Sequence, residues 1–119
     1  MSRYCKKDET LSLLGKSVRV KIDRKKGTAH PDYPELIYKV DYGFIPDTVT
    51  DDGEELDAYV LDEVDGDCYE GLVVAVVVRH NDRENKLVVS NRREKYTAEE
   101  TRGLIEFQEK YFNSSLVLK

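Results

Sequence analysis

The chain has few of the residues that announce a function by themselves. Only two of its 119 residues are cysteine, Cys5 and Cys68, far apart and at no metal-ligand spacing. They read as reduced thiols of a cytosolic protein rather than a disulfide frame. The two histidines, His30 and His80, have no third ligand at a recognisable spacing, which argues against zinc. A glycine-rich phosphate loop, a nucleophile elbow and a Cys/His pair are all missing. No stretch approaches the roughly 20 apolar residues that a membrane-spanning helix needs. The longest run, residues 72–78, suits a strand. Residues 1–8 lack an apolar export region. Basic residues are outnumbered, 19 against 24 acidic, and the net charge of −5 argues against a nucleic-acid partner, which needs a basic footprint. A phosphate ligand stays open, because carboxylates can hold Mg²⁺ and the ion reverses the local charge.

What is present is 39% hydrophobic and 36% charged, which implies one modest core under a charged surface and a single domain over residues 1–119. Residues 18–23 alternate apolar and polar, as a half-buried strand does. After a turn-rich stretch with Gly27, Pro31 and Pro34 come a second short apolar segment at 36–40 and an acidic turn at 51–54. Further strands are expected at 56–61, at 72–78 (apolar on both faces, hence central) and at 86–89, the last two as a hairpin. One helix is expected: Thr97 and Glu100 form a capping box, and Ala98, Thr101, Leu104, Ile105 and Tyr111 follow at helical spacing. Gly103 weakens it. The pattern predicts a mainly β fold with one C-terminal helix, a small OB-like barrel of about five strands.

Carboxylates collect at Asp52-Gly53-Glu54-Glu55-Leu56-Asp57. On a strand, Glu55, Asp57 and Tyr59 share one face, while Leu56, Ala58 and Val60 supply core from the other. Gly53 lets the preceding turn fold back, so that Asp52 and Glu54 can converge with Asp57. Three gathered carboxylates repel unless a divalent cation lies between them. A solvated acidic turn is the plainer reading, and such turns are common. A second group, Asp82, Glu84 and Lys86, reads by itself as an exposed hairpin tip. Tyr38 and Tyr42 read as core edges before ligand contacts.

Together these segments resemble the soluble family I inorganic pyrophosphatases. Tyr38-Lys-Val-Asp-Tyr42-Gly-Phe-Ile45 is similar to the family's Y-P-x-N-Y-G-Y-I, and Asp52-Gly-Glu-Glu-Leu-Asp57-Ala-Tyr-Val to its D-G-D-P-x-D-V-L-V. Asp82-Arg-Glu84-Asn-Lys86-Leu-Val-Val, Phe107-Gln-Glu-Lys-Tyr111 and Val20-Lys-Ile-Asp23 extend the likeness over about residues 18–113. The resemblance implies Mg²⁺-dependent hydrolysis of pyrophosphate in a cytoplasmic homo-oligomer. It implies that Asp52, Asp57, Asp82 and Glu84 hold the metal, with Asp57 shared between two ions, and that Glu54 accepts a proton from the attacking water. Lys86, Tyr42 and Tyr111 would contact phosphate, Arg24 would stand in for the family's arginine, and Asp23 for its first-strand glutamate. This chain departs from the family in three places. Residues 29–36 replace a longer hairpin that carries basic contacts, Glu54 and Glu84 replace aspartates, and Phe112 takes the place of a lysine. These changes keep two alternatives in view: a binding module without turnover, and an enzyme for larger diphosphates. A nucleic-acid binder stacking bases on Tyr38, Tyr42 and Tyr59 is the third.

Overall fold

The computed structural model describes residues 3–92 and 95–118. Met1 and Ser2, which open the stretch read above for an export signal, lie outside the described residues. So does Lys119, the last residue of the expected domain. The order along the chain is strand β1 (Arg3–Tyr4), a 3-10 helix (Lys7–Leu13), β2 (Ser17–Arg24), β3 (Asp41–Ile45), β4 (Thr48–Val49) and β5 (Leu56–Val60). Then follow β6 (Cys68–Arg79), β7 (Lys86–Ser90), helix α1 (Ala98–Glu109) and β8 (Ser114–Leu118). Among the described residues no helix is long and apolar enough to cross a membrane.

Five of the strands close on themselves. Hydrogen bonding runs β2–β3–β5–β7–β6 and returns from β6 to β2, so the sheet is a barrel with one helix C-terminal to it. Only the β5–β7 pair in this ring is parallel. β6 is long enough to serve three neighbours. Its first half pairs with β2, its middle with β7, and its last five residues with β8. A bulge between Val73 and Ala75 reverses which side chains point inward. Val73 and Val76 therefore fill the barrel, while Val74, Ala75 and Val77 pack outside it. That is why the run at 72–78 is apolar on both faces.

The molecule has two cores. Val20, Ile22, Leu56, Ala58, Val60, Leu87 and Val89 fill the barrel. A second cluster outside it joins Tyr38, Tyr42, Tyr59 and Val88 to Ile105 and Phe107 of α1. The segment expected as a strand at 36–40 makes only a single bridge, Ala29 to Ile37, and the ladder strand is the next segment, β3. Its alternation is nevertheless real: Leu36, Tyr38 and Val40 are buried and Ile37 and Lys39 exposed, while its backbone pairs locally with residues 27–30 and stays outside the barrel ladder. The capping box at Thr97 and Glu100 forms as expected. The helix stops at Glu109, however, which leaves Tyr111 in the following turn, and Ala98 is exposed.

A Cβ on Gly103 would meet nothing within 4 Å, and the residue is exposed on α1. Gly103→Ala should therefore raise unfolding stability by about 0.5–1 kcal/mol, read from the urea midpoint. Away from α1's C-terminus, Asp62 ties down the end of β5. Burial opposes its ionisation but is outweighed by Lys95, the Tyr69 hydroxyl, the Asn91 N–H and Ser90, which hold its pKa down at about 2. Because the folded value lies below the unfolded one, this stabilisation is full above about pH 4 and is lost as pH falls towards 2. Asp62→Ala should cost about 2 kcal/mol at neutral pH, and the difference from wild type should close in acid.

Candidate active site

A cavity of about 610 Å³ opens beside the outer face of the barrel. Its walls come from the short irregular hairpin at 27–38, from β3, β5 and β7, and from the turn after α1. Since Leu56 and Ala58 point into the barrel, Asp57 between them must face this cavity. Lys86 opens β7 beside it, and its ammonium lies 2.8 Å from Asp57 Oδ2 while also binding Glu84. Tyr42 donates to the same Asp57 oxygen at 2.9 Å. Lys86 is almost fully buried. Burial opposes its charge, but Asp57 and Glu84 outweigh it and hold the ammonium's pKa above its ordinary value. The Tyr42 phenol is pushed well up, by burial first and then by the Asp57 charge. It stays a donor.

The acidic turn meets this floor through one hydroxyl. Thr50 Oγ1 lies 2.6 Å from both Asp52 Oδ1 and Glu84 Oε2 and carries one proton for the two. Gly53 adopts the positive φ that the turn requires. Asp52, Glu84 and Asp57 are thus chained together, the Thr50 hydroxyl lying between the first two and the Lys86 ammonium between the last two. Burial raises the pKa of Glu84 despite Lys86. Burial works the same way on Asp52, but Thr50 and the Glu54 N–H outweigh it and lower its pKa.

Among the described residues no three His, Cys, Asp or Glu side chains are grouped so as to hold a cation. Lys86 stands between Asp57 and Glu84 and keeps them apart. The donors nevertheless fit a hard divalent ion in kind, since all are carboxylate oxygens and they exceed their single ammonium by two charges. Of the other expected residues, Arg24 and Tyr111 line the cavity. Asp82 is turned to Arg79 Nη1 at 2.9 Å. Glu54 and Asp23 are exposed and outside the cavity lining.

Sequence reasoning missed the side chains that hold the cavity's cations in place. Arg79 is buried against Glu109, with Nε 3.1 Å from Oε1 and Nη2 2.5 Å from Oε2. Tyr59 donates to Glu109, Gln108 donates to Tyr59, Tyr38 donates to Gln108, and Arg24 donates to Tyr38. One unbroken chain therefore links Arg79 to Arg24 behind the cavity. Tyr38, Tyr42 and Tyr59 are buried at 1%, 5% and 0% exposure, which removes all three rings offered as a base-stacking platform. The N-terminal segment clasps the same region. Lys7 donates to the carbonyls of Arg79 and Asp82, Asn85 donates back to Lys7 and Thr10, and Tyr4 donates to Asp51.

Two comparisons bear on this geometry. The family described as inorganic pyrophosphatase matches residues 13–114. Among solved structures the chain is similar to an inorganic pyrophosphatase from Ehrlichia chaffeensis, with TM-score 0.66, 18% identity and coverage of 88% of this chain and 87% of that one. It is also similar to one from Neisseria gonorrhoeae, with TM-score 0.62, 22% identity and coverage of 82% and 74%. A third, from Thermus thermophilus, gives TM-score 0.54, 19% identity and coverage of 85% and 80%. At these identities the structures speak for a shared fold.

Proposed function

The chain belongs to the inorganic pyrophosphatase family, and from that premise we propose that the cavity over Asp57 and Lys86 hydrolyses pyrophosphate to two phosphates with Mg²⁺ as its cation. The observation that supports this most is the chain Asp52–Thr50–Glu84–Lys86–Asp57, which joins the two acidic groups of the sequence into one under-compensated cluster beside a cavity that Arg24 and Arg79 also line. Asp52, Asp57 and Glu84 would hold the ion, and Asp82 would join them on leaving Arg79. When bound, the ion supplies Lewis acidity toward water and phosphate. The chain's own residues do the rest. Lys86 can direct an N–H at phosphate while keeping its carboxylate partners, and Tyr42, whose phenol is held by Asp57, and Tyr111 would contact phosphate from the cavity lining. Arg24 has no carboxylate ion-pair partner among the described residues and offers its charge to the substrate. Glu54, on the exposed turn, would take the proton of the attacking water. Alignment and neutralisation of charge supply most of the acceleration in such reactions. A cytoplasmic, self-associating enzyme is part of the same proposal.

The test is phosphate release from pyrophosphate with Mg²⁺, Mn²⁺ or a chelator. Wild type should release phosphate only with metal, and Asp57→Asn should release it at least about a hundredfold more slowly. Undiminished release by Asp57→Asn would move the site elsewhere. One feature favours a second reading, a module that binds metal and diphosphate without turnover: the Phe112 ring lies 3.7 Å from the Arg79 guanidinium and caps it. No release with any metal, together with a melting temperature raised by Mg²⁺ and pyrophosphate, would select that reading.

A further inference from the structure

The cavity is larger and more aromatic than an inorganic anion can use. Its volume of about 610 Å³ lies within the roughly 300–1,000 Å³ of pockets that enclose drug-sized organic ligands. Lys86 and Tyr42 bind Asp57 within it, and Arg24 and Arg79 also line it. The same lining carries exposed aromatic rings. Tyr33 and Tyr111 are 57% and 59% exposed although both line the cavity, and Phe112 joins them. Neither tyrosine ring belongs to a core cluster. His30 supports Tyr33, with ring centroids 5.1 Å apart. Pyrophosphate has no apolar surface to place on these rings, and their negative π faces repel an anion. A planar base gains from both.

We infer that the same cavity takes nucleoside diphosphates as substrates, with the diphosphate over Lys86 and Arg24 and the base stacked on Tyr33 and Tyr111. The inference rests on the reading above that the floor cleaves a phosphoanhydride. The step is the same hydrolysis. The water oxygen forms a bond to the terminal phosphorus, the bond from that phosphorus to the bridging oxygen breaks, and the oxygen leaves with the nucleoside monophosphate. The water proton passes to Glu54, as in the reaction above, and then to solvent. Glu35, two residues beyond Tyr33 and also in the lining, offers an acceptor for a base N–H. The replaced hairpin at 29–36 supplies Tyr33, Glu35 and Leu36 together, so the segment that departs most from the family builds this wall.

The experiment has a catalytic arm and a binding arm. Phosphate release is measured side by side from pyrophosphate and from ADP, CDP, GDP and UDP with the same metal. Calorimetry compares α,β-methylene-ADP with methylenediphosphonate on wild type, Tyr33→Ala and Tyr33→Phe. Release is expected from at least one nucleoside diphosphate. The adenosine analogue should bind at least about tenfold tighter than the diphosphonate, as stacking on an aromatic ring provides. Tyr33→Ala should erase that advantage and Tyr33→Phe keep it. Release from pyrophosphate alone, or equal binding of the two analogues, overturns the inference and leaves the pyrophosphatase reading standing. No release from pyrophosphate or from any nucleoside diphosphate overturns that reading and the inference with it.

Discussion

Arg79→Met is expected to cost about 3–5 kcal/mol of unfolding free energy, because it strands the Glu109 carboxylate at 0% exposure without its ion-pair partner. Among the described residues only the Tyr59 hydroxyl would remain as its side-chain donor. A domain of this size has roughly 5–15 kcal/mol in all, so the variant should stand close to unfolding at ambient temperature. The cost comes from orphaning a charge rather than from losing an attraction. Removing both partners in Arg79→Met/Glu109→Leu should therefore recover more than half of the loss. Urea denaturation of the two single variants and the double variant closes the cycle. If the single arginine variant lost under about 1 kcal/mol, the bidentate pair would not be the buried contact described.

Gly43→Ala is expected to be comparably severe for a different reason. A Cβ there would sit 1.9 Å from the Lys21 carbonyl oxygen, 2.7 Å from its carbonyl carbon and 2.9 Å from Ile22 Cα. All three are backbone atoms, so no rotamer change relieves the clash, and β2 and β3 must part where their register already shifts between Ile22 and Arg24. We expect a loss of roughly 3 kcal/mol or more, with phosphate release falling alongside because neighbouring Tyr42 moves with the strand. Full stability in Gly43→Ala by urea denaturation would show that the strands do not approach this closely.

The barrel was legible because its strands alternate in the way period-two burial demands. At 56–61 the sequence alone separates Leu56, Ala58 and Val60 from Asp57 and Tyr59, and the structure keeps that division. What alternation does not say is that the outer face is covered as well. Tyr59 therefore reads as available when it is buried beneath α1. The polar first half of β6 and the short β8 carry too little apolar signal to stand out, and β1 and β4 are only two residues long. Within the site, spacing alone reads Glu84 and Lys86 as an exposed hairpin tip, and it is the family resemblance that points to them beside Asp57. Arg79 and Glu109 lie 30 residues apart, and nothing local marks either as a partner of the other. Thr50 likewise looks like an ordinary turn residue until its hydroxyl is seen between Asp52 and Glu84.

The closure of the ring has a consequence for how the chain is born. β5 and β6 do not pair with each other; β7 is the wedge that joins them, parallel to one and antiparallel to the other. A chain emerging from the ribosome can assemble β2, β3, β5 and β6 only as an open sheet with two apolar edges, the kind of surface that chaperones cover and that aggregates when left bare. Residue 86 is the first of the wedge and is also the ammonium of the site. No nascent form short of the closed ring can therefore own the pocket's floor, and turnover doubles as a report that synthesis has delivered a finished barrel.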